Sequence, residues 1–174
     1  MTKKSFLSTC LVTVLAFAAI AVFLNSQSAF SKSSDSAWQI RCDKDEAGKA
    51  THCEMFSRLN LQKTNERVVE FAIGYPKGDK LSAARGIIVM PLGIDLQDDA
   101  VILVDEKAIF HAKINYCLKS GCYALVTLPD QIVTQFKKGN DAALKFKANN
   151  GKFVMVKIPL TGFTKTFKEL TGEK

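Results

Sequence analysis

The sequence predicts an all-β sandwich of about eight to ten short strands with one or two small helices. Short apolar or alternating segments recur along the chain at the spacing typical of antiparallel sandwiches. Asn149, Asn150 and Gly151 separate two alternating runs, which is a hairpin signal. Cys117 and Cys122, each beside a tyrosine, bracket a Leu-Lys-Ser-Gly turn that leads straight into an apolar run. Gly121 can take a left-handed conformation there without steric cost.

Residues 1–30 read as a secretory signal peptide. Lys3 and Lys4 precede a mostly apolar stretch over 6–24, and small residues from Ser26 to Ser31 offer cleavage sites. The alternative is an uncleaved anchor, since about eighteen apolar residues nearly span a bilayer. Ser8, Thr9 and Thr13 interrupt the stretch and favour cleavage. Leu7-Ser8-Thr9-Cys10 precedes the apolar stretch, where a lipoprotein acylation site would follow it. Loss of the leader leaves about 145 residues, enough for one domain with its own core.

Residues 31–36 are a serine-rich polar tether. Residues 37–42 alternate, with Trp38, Ile40 and Cys42 on one face of a half-buried strand. A charged turn over 43–51 leads to a returning strand over 52–59. Asp43, Asp45, Gly48 and Glu54 match part of a calcium-loop pattern, but Ala47 stands where an oxygen ligand is needed. The flanks read as strands, so a structural turn without metal is expected. His52 and Cys53 are neighbours on a strand and face opposite ways, so they do not form a working pair.

Further strands are expected over 67–75, 86–90, 101–104 and 107–114, the last carrying His111 as a packing or edge residue. Pro129 opens a helix over 130–138. Asp130 lies in its first turn, Ile132, Val133 and Phe136 recur at helical spacing, and Lys137, Lys138 and Gly139 end it. The hairpin strands cover 142–148 and 152–158, a short helix covers 164–170, and 171–174 form a tail.

Export removes Cys10 with the leader and leaves four cysteines, an even number suited to an oxidising compartment. Of the three formal pairings, Cys42 with Cys53 and Cys117 with Cys122 is expected, because both pairs flank short turn-like segments. Each closed loop contributes roughly 2–3 kcal/mol in the chain-entropy picture.

The net charge of +7 is distributed unevenly: residues 31–106 carry ten basic and thirteen acidic side chains, and 107–174 carry twelve lysines against four acids. One reading is an ordinary solvated face. The other is a basic surface that meets an anionic envelope or host-cell partner such as lipopolysaccharide, a glycan or phospholipid headgroups. The candidate contacts are Lys137, Lys138, Lys145, Lys147, Lys152 and Lys157. Lys145 and Lys147 are two apart and share a strand face opposite Leu144, Phe146 and Ala148. The faces of Lys152 and Lys157 relative to them depend on hairpin register. Lysine without interleaved arginine and aromatics argues against nucleic-acid readout. No nucleophile elbow, zinc-protease motif, phosphate loop or dinucleotide fingerprint occurs, so no catalytic, cofactor or metal residues are assigned and no enzymatic activity is expected.

The order and spacing of several short pieces carry a resemblance. Trp38 and Cys42, then Cys53, the block Pro91-Leu92-Gly93-Ile94, Tyr116-Cys117 with Gly121-Cys122, and the closing Pro159-Leu160, Gly162 and Phe163 resemble the invasion-associated locus B family of exported Gram-negative proteins. The resemblance covers about residues 37–170. It implies an immunoglobulin-like β-sandwich, two local disulfides and a location in the periplasm, at the outer membrane or on the surface. In pathogenic members it implies a role in host-cell entry, and it supplies no catalytic residues. The expectation is an exported, non-enzymatic protein that assists host-cell invasion by binding. A periplasmic binding or envelope-maintenance module with no direct host contact is the alternative, and an enzyme ranks last.

Overall fold

Alternating side chains in ten strands build two antiparallel layers. The structure, a computed structural model, describes residues 36–76 and 83–173. The leader or anchor expected over 1–30, the tether up to residue 35, most of the turn after Pro76 and the last tail residue lie outside the described residues.

In chain order the elements are β1 (Gln39–Lys44), β2 (Ala50–Asn60), β3 (Arg67–Gly74), β4 (Ala84–Met90), β5 (Ala100–Val104), β6 (Lys107–Ala112), β7 (Tyr116–Leu118), β8 (Gly121–Leu128), α1 (Asp130–Lys138), β9 (Asp141–Lys147), β10 (Phe153–Pro159) and α2 (Phe163–Thr171). One sheet has six strands in the order β1-β2-β3-β4-β8-β7, the other four in the order β10-β9-β5-β6. The expected immunoglobulin-like sandwich is thus present as two antiparallel sheets with two short helices.

The core lies between the sheets. Met55, Val69, Phe71, Ile73, Ile88, Met90 and Ala124 come from the larger sheet, and Ile102, Leu144, Phe146 and Ile158 from the smaller. Both helices turn apolar stripes toward this core, with Val133 and Phe136 buried on α1 and Phe163 and Phe167 on α2. Trp38, Phe71, Phe136, Phe163 and Phe167 form a chain of rings with centroid separations of 5.0–5.9 Å. Aromatic edges and faces in such contact tie the helices to the larger sheet beyond simple burial.

Two glycines show why the chain needs them. Gly121 has φ +137°, and a Cβ there would collide with the carbonyl of Met90. Gly139 ends α1 with an ordinary φ of −73°, so conformation does not demand it. Its requirement is space, because a Cβ would overlap the side chain of Val104 and press on Leu160.

Three sequence expectations shift. Trp38 precedes β1 and is buried, while Ile40 stays 36% exposed, so the pair does not share one covered strand face. The reason is layer width: β1 is an edge strand of a six-stranded sheet facing only four strands. Ser36, the last residue of the expected tether, belongs to the domain. Its hydroxyl donates to the carbonyl of Trp38 (2.8 Å), and the Ala37 N–H donates to the carbonyl of Thr161 (3.0 Å). The hairpin strands are offset by one residue from the expected bounds, with Lys147 opposite Phe153.

Candidate functional site

The cysteines come first because they hold the edges. Cys42 is bonded to Cys53 and Cys117 to Cys122, each pair directly opposite in the strand register. β1 and β7 are the two edge strands of the larger sheet, so each disulfide fastens an edge strand to its single neighbour in that sheet. Edge strands are where sheets fray and recruit foreign strands. Replacing Cys42 and Cys53 together with serine is expected to lower the unfolding free energy by roughly 2–3 kcal/mol. Urea titration with and without reductant checks this; the two wild-type curves should differ and the variant curves should coincide if Cys117–Cys122 is first replaced as well.

The six candidate lysines do not form one patch. Lys145 and Lys157 lie on the outer face of the smaller sheet, opposite Met155 and Ala143 respectively, and Lys145 Nζ sits 4.4 Å from the centroid of the Phe153 ring. Lys147 shares that face but is claimed by Asp98 (2.8 Å) and Asp95 (3.1 Å), whose hydrogen bonds and charges raise its pKa. Lys152 stands at the hairpin tip, exposed. Lys137 and Lys138 are on α1, which leads into the opposite end of β9. Lys137 pairs with Glu173 (3.6 Å) and lies 4.6 Å over Phe167.

What remains on the smaller sheet is a mixed face. Phe153 and Met155 are 63% and 59% exposed, Met155 directly opposite Lys145 and Phe153 opposite Lys147. Beside them an open cleft of about 600 Å³ has Leu103, Ala143 and Met155 as apolar lining and Asp105, Glu106, Asp141 and Lys157 as charged lining. Asp105 and Glu106 both have positive φ, the geometry of a tight two-residue hairpin turn. The Asp105 carboxylate accepts the N–H groups of Asn140 (3.0 Å) and Asp141 (3.2 Å), fixing the rim.

The outer face of the larger sheet carries an arrangement that sequence reasoning missed. Glu70 on β3 is 3% exposed although it faces outward. Arg41 Nη1 (2.8 Å) and Arg58 Nε (2.5 Å) hold its two oxygens, and Arg41 also pairs with Glu54. Arg41 and Arg58 lie 4.5 and 5.8 Å from the Phe56 ring centroid, in cation–π range. Burial pushes the Glu70 pKa up, but the hydrogen bonds and charges of Arg58 and Arg41 outweigh it and leave the carboxyl below its usual range. The signal in the sequence is a lone carboxylate inside the apolar run of 68–73, which needs a partner when buried.

The two histidines lie in different sheets, His52 on β2 and His111 on β6. His52 shares a face with Glu54, and His111 pairs with Val101 on the edge of the smaller sheet. In the segment that matches part of a calcium loop, the Asp45 carboxylate accepts the Lys49 N–H (2.8 Å) and the Glu54 carboxylate is taken by Arg41 (2.6 Å).

Comparison with known proteins agrees with this architecture. The crystal structure of invasion associated protein B from Bartonella henselae aligns with a TM-score of 0.68 at 22% identity, covering 78% of this chain and 91% of that one, a likeness of fold. An invasion protein B homolog of Brucella abortus (strain 2308) is 28% identical over 127 residues, which is 72% of this chain and 70% of that protein. The homolog from Brucella abortus biovar 1 (strain 9-941) shows the same identity and coverage. With the profile described as "Invasion associated locus B (IalB) protein" matching residues 38–171, the chain belongs to the invasion associated locus B family.

Proposed function

We propose that this chain is an exported, non-enzymatic protein of the bacterial envelope or surface that assists host-cell invasion by binding an anionic partner. Family membership and the names of the relatives support the invasion setting. Two disulfides support an oxidising compartment outside the cytoplasm. The observation that carries the binding reading is the outer face of the β9–β10 hairpin, where Lys145, Phe153, Met155 and Lys157 put two cations beside two exposed apolar side chains. Such a face offers charge attraction and exposed apolar area side by side, as binding surfaces do.

The test combines localisation with binding. Cell fractionation and surface protease shaving place the protein, and a deletion strain is scored for host-cell entry and for envelope integrity. Loss of entry with an intact envelope is expected. An envelope defect without an entry defect would replace this reading with the periplasmic maintenance role. Lys145→Glu with Lys157→Glu should weaken binding to lipopolysaccharide or host-cell membranes by about tenfold or more, since each lysine near an anionic surface contributes roughly 1 kcal/mol. Lys44→Glu with Lys49→Glu should change it little. Added salt should weaken wild-type binding, because exposed charges act through a screened field.

A further inference from the structure

We infer that one end of the sandwich is a membrane-docking rim, seating on an anionic phospholipid bilayer through Leu61, Leu92, Leu96 and Leu118. These leucines are 50%, 57%, 57% and 56% exposed, far from the burial expected of leucine in a packed core. They come from widely separated parts of the sequence, yet topology collects them. β2 and β4 end, and β3 and β8 begin, on the same side of the larger sheet. The turn between β7 and β8 and the loops over 61–66 and 91–99 therefore emerge together.

Hydrogen bonds join these segments in two pairs at this end of the sheets. The Arg67 guanidinium donates to the carbonyl of Ser120, linking the start of β3 to the β7–β8 turn. The Asn149 N–H donates to Gly93 (2.9 Å) and the Asp95 N–H to Lys147 (2.8 Å), tying the 91–99 loop to the hairpin tip. Ile94 bridges to Ala148 in the same place and is itself buried, so the loop is anchored by Ile94 while Leu92 and Leu96 on either side point outward into exposure.

Charge selects the occupant. Lys63, Lys119 and Lys152 are exposed on three of these loops, two of them within two residues of a rim leucine, and no ion pair holds them among the described residues. The carboxylates of Asp95 and Asp98 on the fourth loop are taken by Lys147, leaving Glu66 and Asp99 as the other acids of the 61–66 and 91–99 loops. Apolar side chains from three separate segments, with lysines beside Leu61 and Leu118, suit an interface where the leucines enter the acyl boundary and the ammonium groups meet phosphate. A flat protein partner would instead favour a contiguous apolar centre. This inference rests on the envelope or host-surface reading above and names a different surface for the lipid contact.

The test is co-sedimentation of the exported protein with vesicles of phosphatidylcholine alone or with phosphatidylglycerol. Mass spectrometry of the N-terminus ensures that wild type and variants carry the same leader state. Wild type should bind the anionic vesicles and bind the neutral ones much more weakly. Leu92→Asp with Leu118→Asp should reduce binding about 100-fold, each leucine contributing about tenfold. Lys63→Glu with Lys119→Glu and Lys152→Glu, all at exposed positions that leave the core intact, should reduce it by about 100-fold or more. Ile87→Asp with Leu125→Asp, on the open sheet face, should leave it unchanged. Absence of vesicle binding, equal loss in the sheet-face variant, or displacement by millimolar inorganic phosphate would overturn the inference. Binding to a protease-sensitive cell-surface component without vesicle binding would overturn it too, while leaving the proposed host-binding function standing.

Discussion

Replacing Trp38 with alanine is expected to lower the unfolding free energy by about 3–5 kcal/mol, the range for truncating a large buried aromatic. The side chain is 2% exposed, edge-on to Phe163 at 5.0 Å and to Phe71 at 5.9 Å. It therefore touches the larger sheet and α2 at once. Its indole N–H donates to the carbonyl of Pro159 at the end of β10 (2.8 Å), which joins the smaller sheet to the same point. Alanine removes the ring from this junction and leaves the Pro159 carbonyl without that donor. Trp38→Phe keeps much of the packing and loses the hydrogen bond, so it should cost less, about 1–2 kcal/mol. Urea unfolding of both variants separates the two contributions. A Trp38→Ala loss below about 1 kcal/mol would show that the junction collapses around the gap. Small domains have a total stability of about 5–15 kcal/mol, so the predicted loss would also reduce the yield of folded protein.

Glu70→Gln is expected to cost about 2–3 kcal/mol at neutral pH, and the cost should shrink in acid. Glutamine keeps the shape but leaves Arg41 and Arg58 without their shared carboxylate. The two guanidiniums are 42% and 44% exposed, so water compensates part of the loss and holds the figure below that of a fully buried pair. The folded-state pKa of Glu70 is lowered, so its charge contributes stability above the unfolded carboxyl pKa. That contribution is lost as pH falls below the unfolded carboxyl range and through the lowered folded value. The gap in urea midpoint between wild type and variant should therefore be largest at neutral pH and narrow steadily as the pH is lowered below the unfolded carboxyl range. A gap that does not change with pH would assign the effect to packing.

Local geometry makes much of this fold readable in the residues themselves. The hairpin around Asn149–Gly151, the helix from Asp130 to Lys138 and the strand ending at Met90 each follow from residues within a few positions of one another. The cysteine pairing is legible for the same reason, since each bond closes a short segment between adjacent strands. Gly139 ends α1 as its place in the sequence predicts, but for another reason, because Val104, distant in sequence, is what forbids a Cβ.

The candidate surfaces are far less legible. Lys145 and Lys147 look equivalent, two residues apart on one strand, yet Asp95 and Asp98 arrive from a loop about fifty residues away and neutralise Lys147 alone. Glu70 announces a need for partners without naming Arg58, directly opposite it on β2, and Arg41, which reaches it diagonally from β1.

By itself the sequence determined where strands and helices run, which cysteines are close, and that the second half of the chain is basic. Those properties depend on alternation, helical spacing and short loops, all carried by neighbouring residues. Only the tertiary structure decided which strands adjoin, which lysines keep a free charge, and that four leucines from three distant segments lie at one end. Strand order and register come from packing two sheets of unequal width around one core, and no local period encodes that choice.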